Sequence, residues 1–219
     1  MLGKRKKIHF VGIGGIGMSG MAELLLNLGH KISGSDINKS NITDHLNKLG
    51  IIITIGHHEE NVKNIDMLVY SSAVTIENCE IKEAKNKNIP YIKRAEMLGE
   101  LLKVKANSIA VAGTHGKTTT TSMLGVILEN ANLKPTIVVG GIVQDFQSNS
   151  VLGDGDTIIV EADEYDRTLL SLKPNMSVVT NIDLEHIDCY PTIENLKETF
   201  LTFLNSTPFY GVNVICYLL

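Results

Sequence analysis

The 219-residue sequence contains no tryptophan, and aromatic residues make up only 5% of it. Its three cysteines, Cys79, Cys189 and Cys216, form no C-x-x-C pair. This argues against a disulfide framework or a zinc knuckle and favours reduced thiols. Basic residues are not in excess, since 20 Lys and Arg stand against 24 Asp and Glu. Proteins dedicated to nucleic acids usually carry a basic surplus, so no nucleic-acid partner is expected.

Long hydrophobic runs are also absent, because no stretch reaches the roughly 18 apolar residues that a membrane span requires. The basic segment Lys4-Arg5-Lys6-Lys7 precedes an apolar run, as it would in a secretory signal peptide. That run contains His9 and several glycines, and it offers no small-x-small cleavage site. We therefore expect a cytoplasmic protein without a membrane segment.

Apolar residues make up 43% of the chain and fall in short strand-like runs that alternate with helical stretches. This alternation predicts an α/β fold built on parallel sheets. The predicted strands are residues 8–11, 31–35, 51–55, 67–71, 109–112, 136–139, 157–160, 177–180 and 212–219, and the predicted helices are residues 18–28, 41–49, 77–87, 94–102 and 118–130. A polar segment at 103–107 precedes a second strand-turn-helix start, so we place one domain at 1–105 and another at 106–219.

A Gly-Lys-Thr sequence lies between a predicted strand and a predicted helix, within Gly113-Thr114-His115-Gly116-Lys117-Thr118-Thr119. Backbone N–H groups at such a junction bind phosphate oxygens. Lys117 is then placed to reach the β- and γ-phosphates of ATP, and the Thr118 hydroxyl to bind Mg²⁺. The usual P-loop has a glycine where this chain has Val111, so the loop is a variant. The alternative is a glycine turn with an exposed lysine.

Two further side chains follow strands of the same predicted sheet. Glu161 ends one apolar strand, and His186 lies shortly after the next, which ends near Thr180. Because ligands bind beyond the carboxyl ends of parallel strands, we expect both side chains near Lys117. A carboxylate there can hold Mg²⁺ directly or through water. His186 is the weaker candidate, since Mg²⁺ prefers oxygen ligands and a lone histidine is more often an ordinary surface residue.

A second glycine-rich turn, Gly12-x-Gly14-Gly15-x-Gly17, follows the first strand and opens the first helix. Asp36 follows the second strand, 19 residues beyond Gly17, as in the dinucleotide-binding fingerprint. In that fingerprint the acid accepts a hydrogen bond from a ribose hydroxyl. The pattern predicts a nucleotide diphosphate on the helix N-terminus, without distinguishing NAD from a nucleotide sugar. A purely structural glycine turn is the alternative.

Four weaker candidates for the same site are His57, Ser71, Ser72 and Arg94. His57, Ser71 and Ser72 follow predicted strands and so belong at the carboxyl edge of the sheet. Arg94 can face an anion. Each of the four is equally compatible with an ordinary loop or surface position.

Several of these segments, taken in order along the chain, resemble the Mur ligase family. They are Gly12–Gly20, Ser33-Gly-Ser-Asp36, Tyr70-Ser-Ser-Ala73, Arg94-Ala-Glu-Met-Leu98, Ala112–Thr119, Glu161-Ala-Asp-Glu164, Thr180-Asn-Ile-x-x-x-His186 and Pro208-Phe-Tyr-Gly211. The resemblance extends from Ile8 to about Cys216. The histidine in Gly-Thr-His-Gly-Lys-Thr favours the alanine-adding members of the family.

The resemblance implies a Rossmann-like domain over residues 1–105 that binds a UDP substrate, followed by an incomplete P-loop ATPase domain over 106–219. It implies an ATP-dependent ligase that joins L-alanine to UDP-N-acetylmuramate through an acyl phosphate, in peptidoglycan precursor synthesis. Lys117, Glu161 and His186 would then be catalytic, and Thr118, Glu161 and His186 would bind Mg²⁺. The implied ATP site is Gly113, Thr114, His115, Gly116, Lys117, Thr118 and Thr119, and the implied UDP site is Gly12, Gly14, Gly15, Gly17, Asp36, His57, Ser71, Ser72 and Arg94.

Three other functions stay open. One is a recycling ligase that adds a tripeptide to the same sugar, and another is a nucleotide-binding module without turnover. The third is a nicotinamide-dependent dehydrogenase, which leaves the Lys117 loop unexplained.

Family members are longer and carry a C-terminal domain, and no crossover follows the last predicted strand. We therefore expect a fragment with impaired catalysis and, because of an exposed sheet edge, poor solubility.

Overall fold

The computed structural model describes residues 6–143, 148–165, 167–185 and 189–216. It confirms the predicted α/β class, with two sheets in two compact units, Met1–Met97 and Leu98–Leu219. Helix α4, Arg94–Leu102, contributes residues to both units. The division into domains at 1–105 and 106–219 stays a prediction.

Within the described ranges, no helix combines the length and the apolar character that crossing a membrane demands.

The first unit contains a five-stranded sheet in which every neighbouring pair is parallel. Its strands are β1 (Lys7–Val11), β2 (Lys31–Asp36), β3 (Ile52–Ile55), β4 (Met67–Tyr70) and β5 (Tyr91–Lys93), and its helices before α4 are α1 (Ile16–Asn27), α2 (Asn41–Lys48) and α3 (Cys79–Asn86). The strand order is β3-β2-β1-β4-β5. The order reverses between β1 and β4, and ligands of open α/β sheets bind at such a point.

Local sequence explains how α1 is placed. Ile8, Phe10 and Val11 of β1 are fully buried at the centre of the sheet, and the chain then turns at Gly12, whose φ of +81° favours glycine. The helix ends at Asn27, and Gly29, two residues further on, has a φ of +88°. The N–H of His30 donates to the Leu25 carbonyl at 3.0 Å in the pattern of a left-handed helix cap. The left-handed conformation at Gly29 thus ends the helix one residue before the predicted boundary at residue 28.

The second unit contains a six-stranded mixed sheet. Its strands are β6 (Asn107–Ala112), β7 (Thr136–Val143), β8 (Ser148–Val151), β9 (Thr157–Glu161), β10 (Met176–Val179) and β11 (Val212–Ile215), and its helices after α4 are α5 (Lys117–Asn130) and α6 (Ile193–Asn205). The order is β11-β10-β6-β9-β7-β8. All pairs are parallel except β7 with β8, which is antiparallel. Val111, Ile137 and Ile159 are buried in its core.

Among the strands and α-helices of the described residues, three were not predicted from the sequence: β5, β8 and α6. Strand β5 has only three residues, and β8 is largely polar, so neither carries a clear strand pattern. Helix α6 carries a clear helical pattern, because Leu196, Phe200 and Phe203 recur at helical spacing and are buried. Its start is marked by Thr192, whose side chain accepts from the Asn195 N–H at 3.3 Å.

Candidate functional sites

In the second unit, three adjacent parallel strands bring the predicted phosphate site together. Strand β6 lies between β9 and β10, so the segments that follow these strands meet at one edge of the sheet. The loop from Gly113 follows β6, Glu161 ends β9, and Thr180 and Asn181 follow β10. Gly116 caps the N-terminus of α5 with a φ of +78°. The first N–H groups of α5 have no acceptor within the helix and are available to an anion.

Lys117 lies at the start of α5 and points back over the loop. Its Nζ donates to the carbonyl oxygens of Gly113 at 2.7 Å and Thr114 at 3.1 Å. It also pairs with Oε2 of Glu164 at 2.7 Å, and the two side chains are 13% and 1% exposed. Burial raises the pKa of the Glu164 carboxyl, and the hydrogen bond from Lys117 acts in the opposite direction. Glu164 was not among the predicted site residues.

Thr118 and Glu161 form the second contact of this site. The Thr118 hydroxyl lies 3.0 Å from Oε1 and 2.9 Å from Oε2 of Glu161. Glu161 also accepts from the Gly140 N–H at 2.9 Å, which orients its carboxylate. In the described part of the chain, no cluster of three or more His, Cys, Asp or Glu side chains is arranged to hold a metal ion. Thr118 and Glu161 thus offer one hydroxyl oxygen and the two oxygens of one carboxylate.

Asn181 holds the phosphate loop from the neighbouring strand, a role that sequence reasoning missed. Its side chain accepts from the His115 N–H at 2.8 Å and donates to the His115 carbonyl at 3.0 Å. Its own carbonyl accepts from the Thr114 N–H at 3.1 Å. The Thr180 hydroxyl donates to the same His115 carbonyl at 2.6 Å. The N–H groups of Thr114 and His115 are thus already bonded, which leaves the start of α5 as the phosphate donor.

The remaining predicted residues of this site differ in how the structure places them. Gly113 has a φ of +134°, and a Cβ there would overlap the Thr180 hydroxyl, so only glycine fits. The exposed His115 ring lies 3.5 Å from Oε1 of Glu185 and 3.7 Å from Oδ2 of Asp183. Thr119 is exposed in the first turn of α5. His186 lies outside the described residues, so its predicted place in the site stays a prediction.

In the first unit, Asp36 is bonded directly to the glycine turn. The Gly14 N–H donates to Oδ2 of Asp36 at 2.8 Å, and the Asn38 N–H donates to Oδ1 at 3.2 Å. The turn is also held by the carbonyl of Ser35, which accepts from the N–H groups of Gly12 and Ile13 at 2.8 and 3.1 Å. The fingerprint carboxylate thus shapes the turn itself, and a carboxylate has acceptor sites beyond the two that these bonds use.

Most other predicted residues of the UDP site surround this turn. A Cβ on Gly12 would lie 3.1 Å from the Ser71 Cβ, and a Cβ on Gly17 would lie 2.8 Å from an Nη of Arg94. Gly15 is the N-cap of α1 in an extended conformation. Nδ1 of His57 lies 2.9 Å from the Ser35 hydroxyl. Ser72 is exposed in the turn after β4.

Two family profiles match nearly the whole chain. The Mur ligase family catalytic domain matches residues 7–106, and the Mur ligase middle domain matches residues 111–217. The chain belongs to the Mur ligase family. The glycine turn and Asp36 of this Mur ligase chain lie in the first match, and the phosphate loop and Glu161 lie in the second.

Two relatives of this chain have the same name and are more than half identical to it in sequence. The UDP-N-acetylmuramate–L-alanine ligase of Geotalea uraniireducens is 55% identical over 216 residues, which is 99% of this chain and 47% of that protein. The ligase of the same name from Lawsonia intracellularis is 51% identical over 216 residues, with 99% and 48% covered. This Mur ligase chain spans about half the length of the curated relatives it matches.

Solved Mur ligase structures have the same fold. The UDP-N-acetylmuramate–alanine ligase of Thermotoga maritima matches with a TM-score of 0.85 and 33% identity, over 95% of this chain and 48% of that one. The UDP-N-acetylmuramate:L-alanyl-γ-D-glutamyl-meso-diaminopimelate ligase of Neisseria meningitides matches with a TM-score of 0.90 and 27% identity, over 98% and 72%.

Proposed function

We propose that this chain is the nucleotide-binding part of an ATP-dependent ligase that joins L-alanine to UDP-N-acetylmuramate. The proposal rests on the observation that Lys117, Thr118 and Glu161 lie together at the N-terminus of α5. Thr118 Oγ1 is within 3.0 Å of both Glu161 carboxylate oxygens. The names of the relatives that are 51–55% identical support the choice of substrates.

Lys117 and the start of α5 are suited to the phosphates of ATP. The helix N-terminus supplies unbonded N–H groups and a positive partial charge. Lys117 adds a full charge, which can neutralise the charge that develops during phosphoryl transfer. Asn181 fixes the conformation of the loop by bonding both polar backbone groups of His115.

Thr118 and Glu161 fit Mg²⁺ as ligands. The ion prefers oxygen donors, and in nucleotide sites it takes one or two from the protein and the rest from phosphates and water. A hydroxyl and a carboxylate in contact match this, and the carboxylate is already oriented by the Gly140 N–H. When bound, Mg²⁺ would neutralise phosphate charge. His186 as a further ligand stays a prediction.

The glycine turn of the first unit is suited to the diphosphate of UDP-N-acetylmuramate. The turn opens α1, so the helix N-terminus faces an anion there as well. Arg94 lies beside Gly17, where its charge can pair with a phosphate. Asp36 holds the turn in shape and retains lone pairs for a ribose hydroxyl.

The proposed reaction forms one amide bond at the cost of ATP. The carboxylate of UDP-N-acetylmuramate attacks the γ-phosphorus of ATP, which gives an acyl phosphate and releases ADP. The amine of L-alanine then attacks the acyl carbon, loses a proton, and displaces inorganic phosphate. Two anions must approach each other in the first step, and Lys117 lowers the repulsion between them.

Calorimetric titration of the 219-residue chain tests the proposal. We expect ATP with Mg²⁺ and UDP-N-acetylmuramate each to bind with one site. Lys117→Ala should abolish ATP binding and leave UDP-N-acetylmuramate binding intact, whereas Lys173→Ala, remote in sequence from the loop, should change neither. A well-folded chain that binds neither nucleotide would refute the proposal, and binding of NADH in place of the UDP sugar would favour a dehydrogenase.

A tripeptide-adding ligase is the second candidate, favoured by the TM-score of 0.90 to the Neisseria meningitides enzyme. Both candidates share the UDP sugar and ATP, so nucleotide binding does not separate them. The two candidates are distinguished by measuring ADP release in the presence of UDP-N-acetylmuramate and either L-alanine or the tripeptide. We expect any turnover to depend on L-alanine.

A further inference from the structure

Glu80 is a buried carboxylate that the proposed chemistry does not use. It lies in the first turn of α3, and its side chain is 0% exposed. A buried carboxylate is costly unless hydrogen bonds compensate for the lost water. Here three groups donate to it: the Ser35 hydroxyl at 2.6 Å, the Asn61 amide at 2.6 Å and the His58 N–H at 3.1 Å.

Two histidines complete the surroundings of this carboxylate. Nε2 of His9 lies 3.4 Å from Oε2 of Glu80, and Nδ1 of His57 lies 3.6 Å from the same oxygen. Burial alone would raise the pKa of Glu80, but the adjacent His9 ring and the hydrogen bonds from Ser35 and Asn61 outweigh it and lower the pKa to about 2. The carboxylate is therefore a permanent acceptor at neutral pH.

The Ser35 hydroxyl connects Glu80 to His57. A hydroxyl has one proton, and that of Ser35 is donated to Glu80. The oxygen of Ser35 lies 2.9 Å from Nδ1 of His57 and can only accept there. Nδ1 of His57 must therefore carry a proton. In a neutral imidazole the other nitrogen, Nε2, is then an acceptor.

His57 lies next to the proposed UDP site. The carbonyl of Ser35 accepts from the N–H groups of Gly12 and Ile13, so the residue that holds His57 also holds the glycine turn. The side chain of His57 is 15% exposed. Among the residues that the structure describes, none makes a hydrogen bond with its Nε2.

We propose that Glu80 is a positioning residue for nucleotide binding: through Ser35 it keeps the proton of His57 on Nδ1 and leaves Nε2 to accept from a hydroxyl or N–H group of the bound uridine nucleotide. The proposal rests on the proposed function for the identity of the nucleotide. The placement of the proton rests on the hydrogen bonds alone. A merely structural Glu80, joining α3 to the sheet, would affect stability without acting on the His57 ring.

The first experiment locates the proton in the full chain without ligand. Long-range ¹H–¹⁵N spectra of the ¹⁵N-histidine-labelled protein at pH 8, where imidazole is ordinarily neutral, distinguish the two tautomers. The His57→Asn variant identifies the His57 signals by their loss. We expect the Nδ1–H form in the wild type and a shift towards Nε2–H in Glu80→Gln. A wild-type His57 with its proton on Nε2 would overturn the proposal.

The second experiment measures UDP affinity by titration. Loss of one oriented acceptor should weaken binding roughly three- to tenfold in Glu80→Gln. Glu83→Gln, on the same helix and paired with Lys87 at 2.9 Å, is the matched control and should bind as the wild type does. In the His57→Ala background, Glu80→Gln should cause no further loss.

The outcomes separate this proposal from the proposed function. An equal loss of UDP affinity from Glu80→Gln in the wild-type and the His57→Ala backgrounds would overturn the positioning role, even where the wild type binds UDP well. Failure of the wild type to bind UDP or UDP-N-acetylmuramate would overturn the proposed function. It would also overturn the statement that Nε2 of His57 accepts a hydrogen bond from a uridine nucleotide, whereas the spectra would still decide which nitrogen of His57 carries the proton. If Glu80→Gln does not fold, Ser35→Ala interrupts the same connection and should cause the same tautomer shift.

Discussion

Lys117 is bound in this structure by two carbonyl oxygens and by the Glu164 carboxylate at 2.7 Å. A phosphate oxygen that approaches Lys117 must compete with Glu164, whose negative charge also repels it. We expect Glu164→Gln to tighten ATP binding by roughly three- to tenfold, since removing one negative charge close to the bound phosphates is worth on the order of 1 kcal/mol. Calorimetric titration with ATP and Mg²⁺ measures the change.

Glu194→Gln is the control for this variant, because it removes the same charge from an exposed position in the first turn of α6. It should leave ATP affinity unchanged. Weaker ATP binding by Glu164→Gln would contradict the expectation and show that the carboxylate orients Lys117 for the phosphate.

At the scale of elements, the phosphate loop depends on the strand beside it. The amide of Asn181 bonds both the N–H and the carbonyl of His115, at 2.8 and 3.0 Å. Asn181→Ala leaves both groups without these partners, and each lost bond costs roughly 1 kcal/mol. We expect ATP affinity to fall about tenfold and amide exchange at residues 113–116 to accelerate, as measured by titration and by hydrogen exchange.

Asn130→Ala is the matched control at the other end of α5, where the side chain donates to the Val126 carbonyl at 2.8 Å. It removes an asparagine hydrogen bond from the same helix without touching the loop. Unchanged ATP affinity in Asn181→Ala would mean that the loop holds its shape without the neighbouring strand.

Elements with strong local signals were predicted well from the sequence. Helix α4 has the predicted bounds of 94–102, and α5 begins one residue before the predicted start. Both glycine turns lie between a strand and a helix as expected. Helix α6 has apolar residues at helical spacing and is recognisable from its sequence, whereas the three-residue β5 carries too short a pattern to be recognised.

Partners that are distant in the sequence were not predictable in this way. Glu80 bonds Ser35 across 45 residues, and Asn181 bonds His115 across 66. No local pattern marks either residue, because an isolated glutamate in a polar helix or an asparagine after a strand is ordinary. Their roles follow only from sheet order, which brings β6 beside β10 and α3 beside the first sheet.

At the scale of the whole molecule, the two glycine-rich turns belong to different compact units, 1–97 and 98–219. A ligand stabilises the structure that binds it, by about 2.7 kcal/mol at a concentration of 100 Kd. Hydrogen exchange therefore identifies which turn takes which nucleotide. We expect UDP-N-acetylmuramate to slow exchange at residues 12–17, and ATP with Mg²⁺ to slow it at residues 114–119.

Lys117→Ala provides the internal control for this assignment. It should remove the protection that ATP confers on residues 114–119 and leave the protection of residues 12–17 by UDP-N-acetylmuramate in place. The reverse pattern, with ATP protecting residues 12–17, would contradict the assignment. Such a result would mean that Arg94 beside Gly17, and not Lys117 at the start of α5, supplies the cation for the triphosphate.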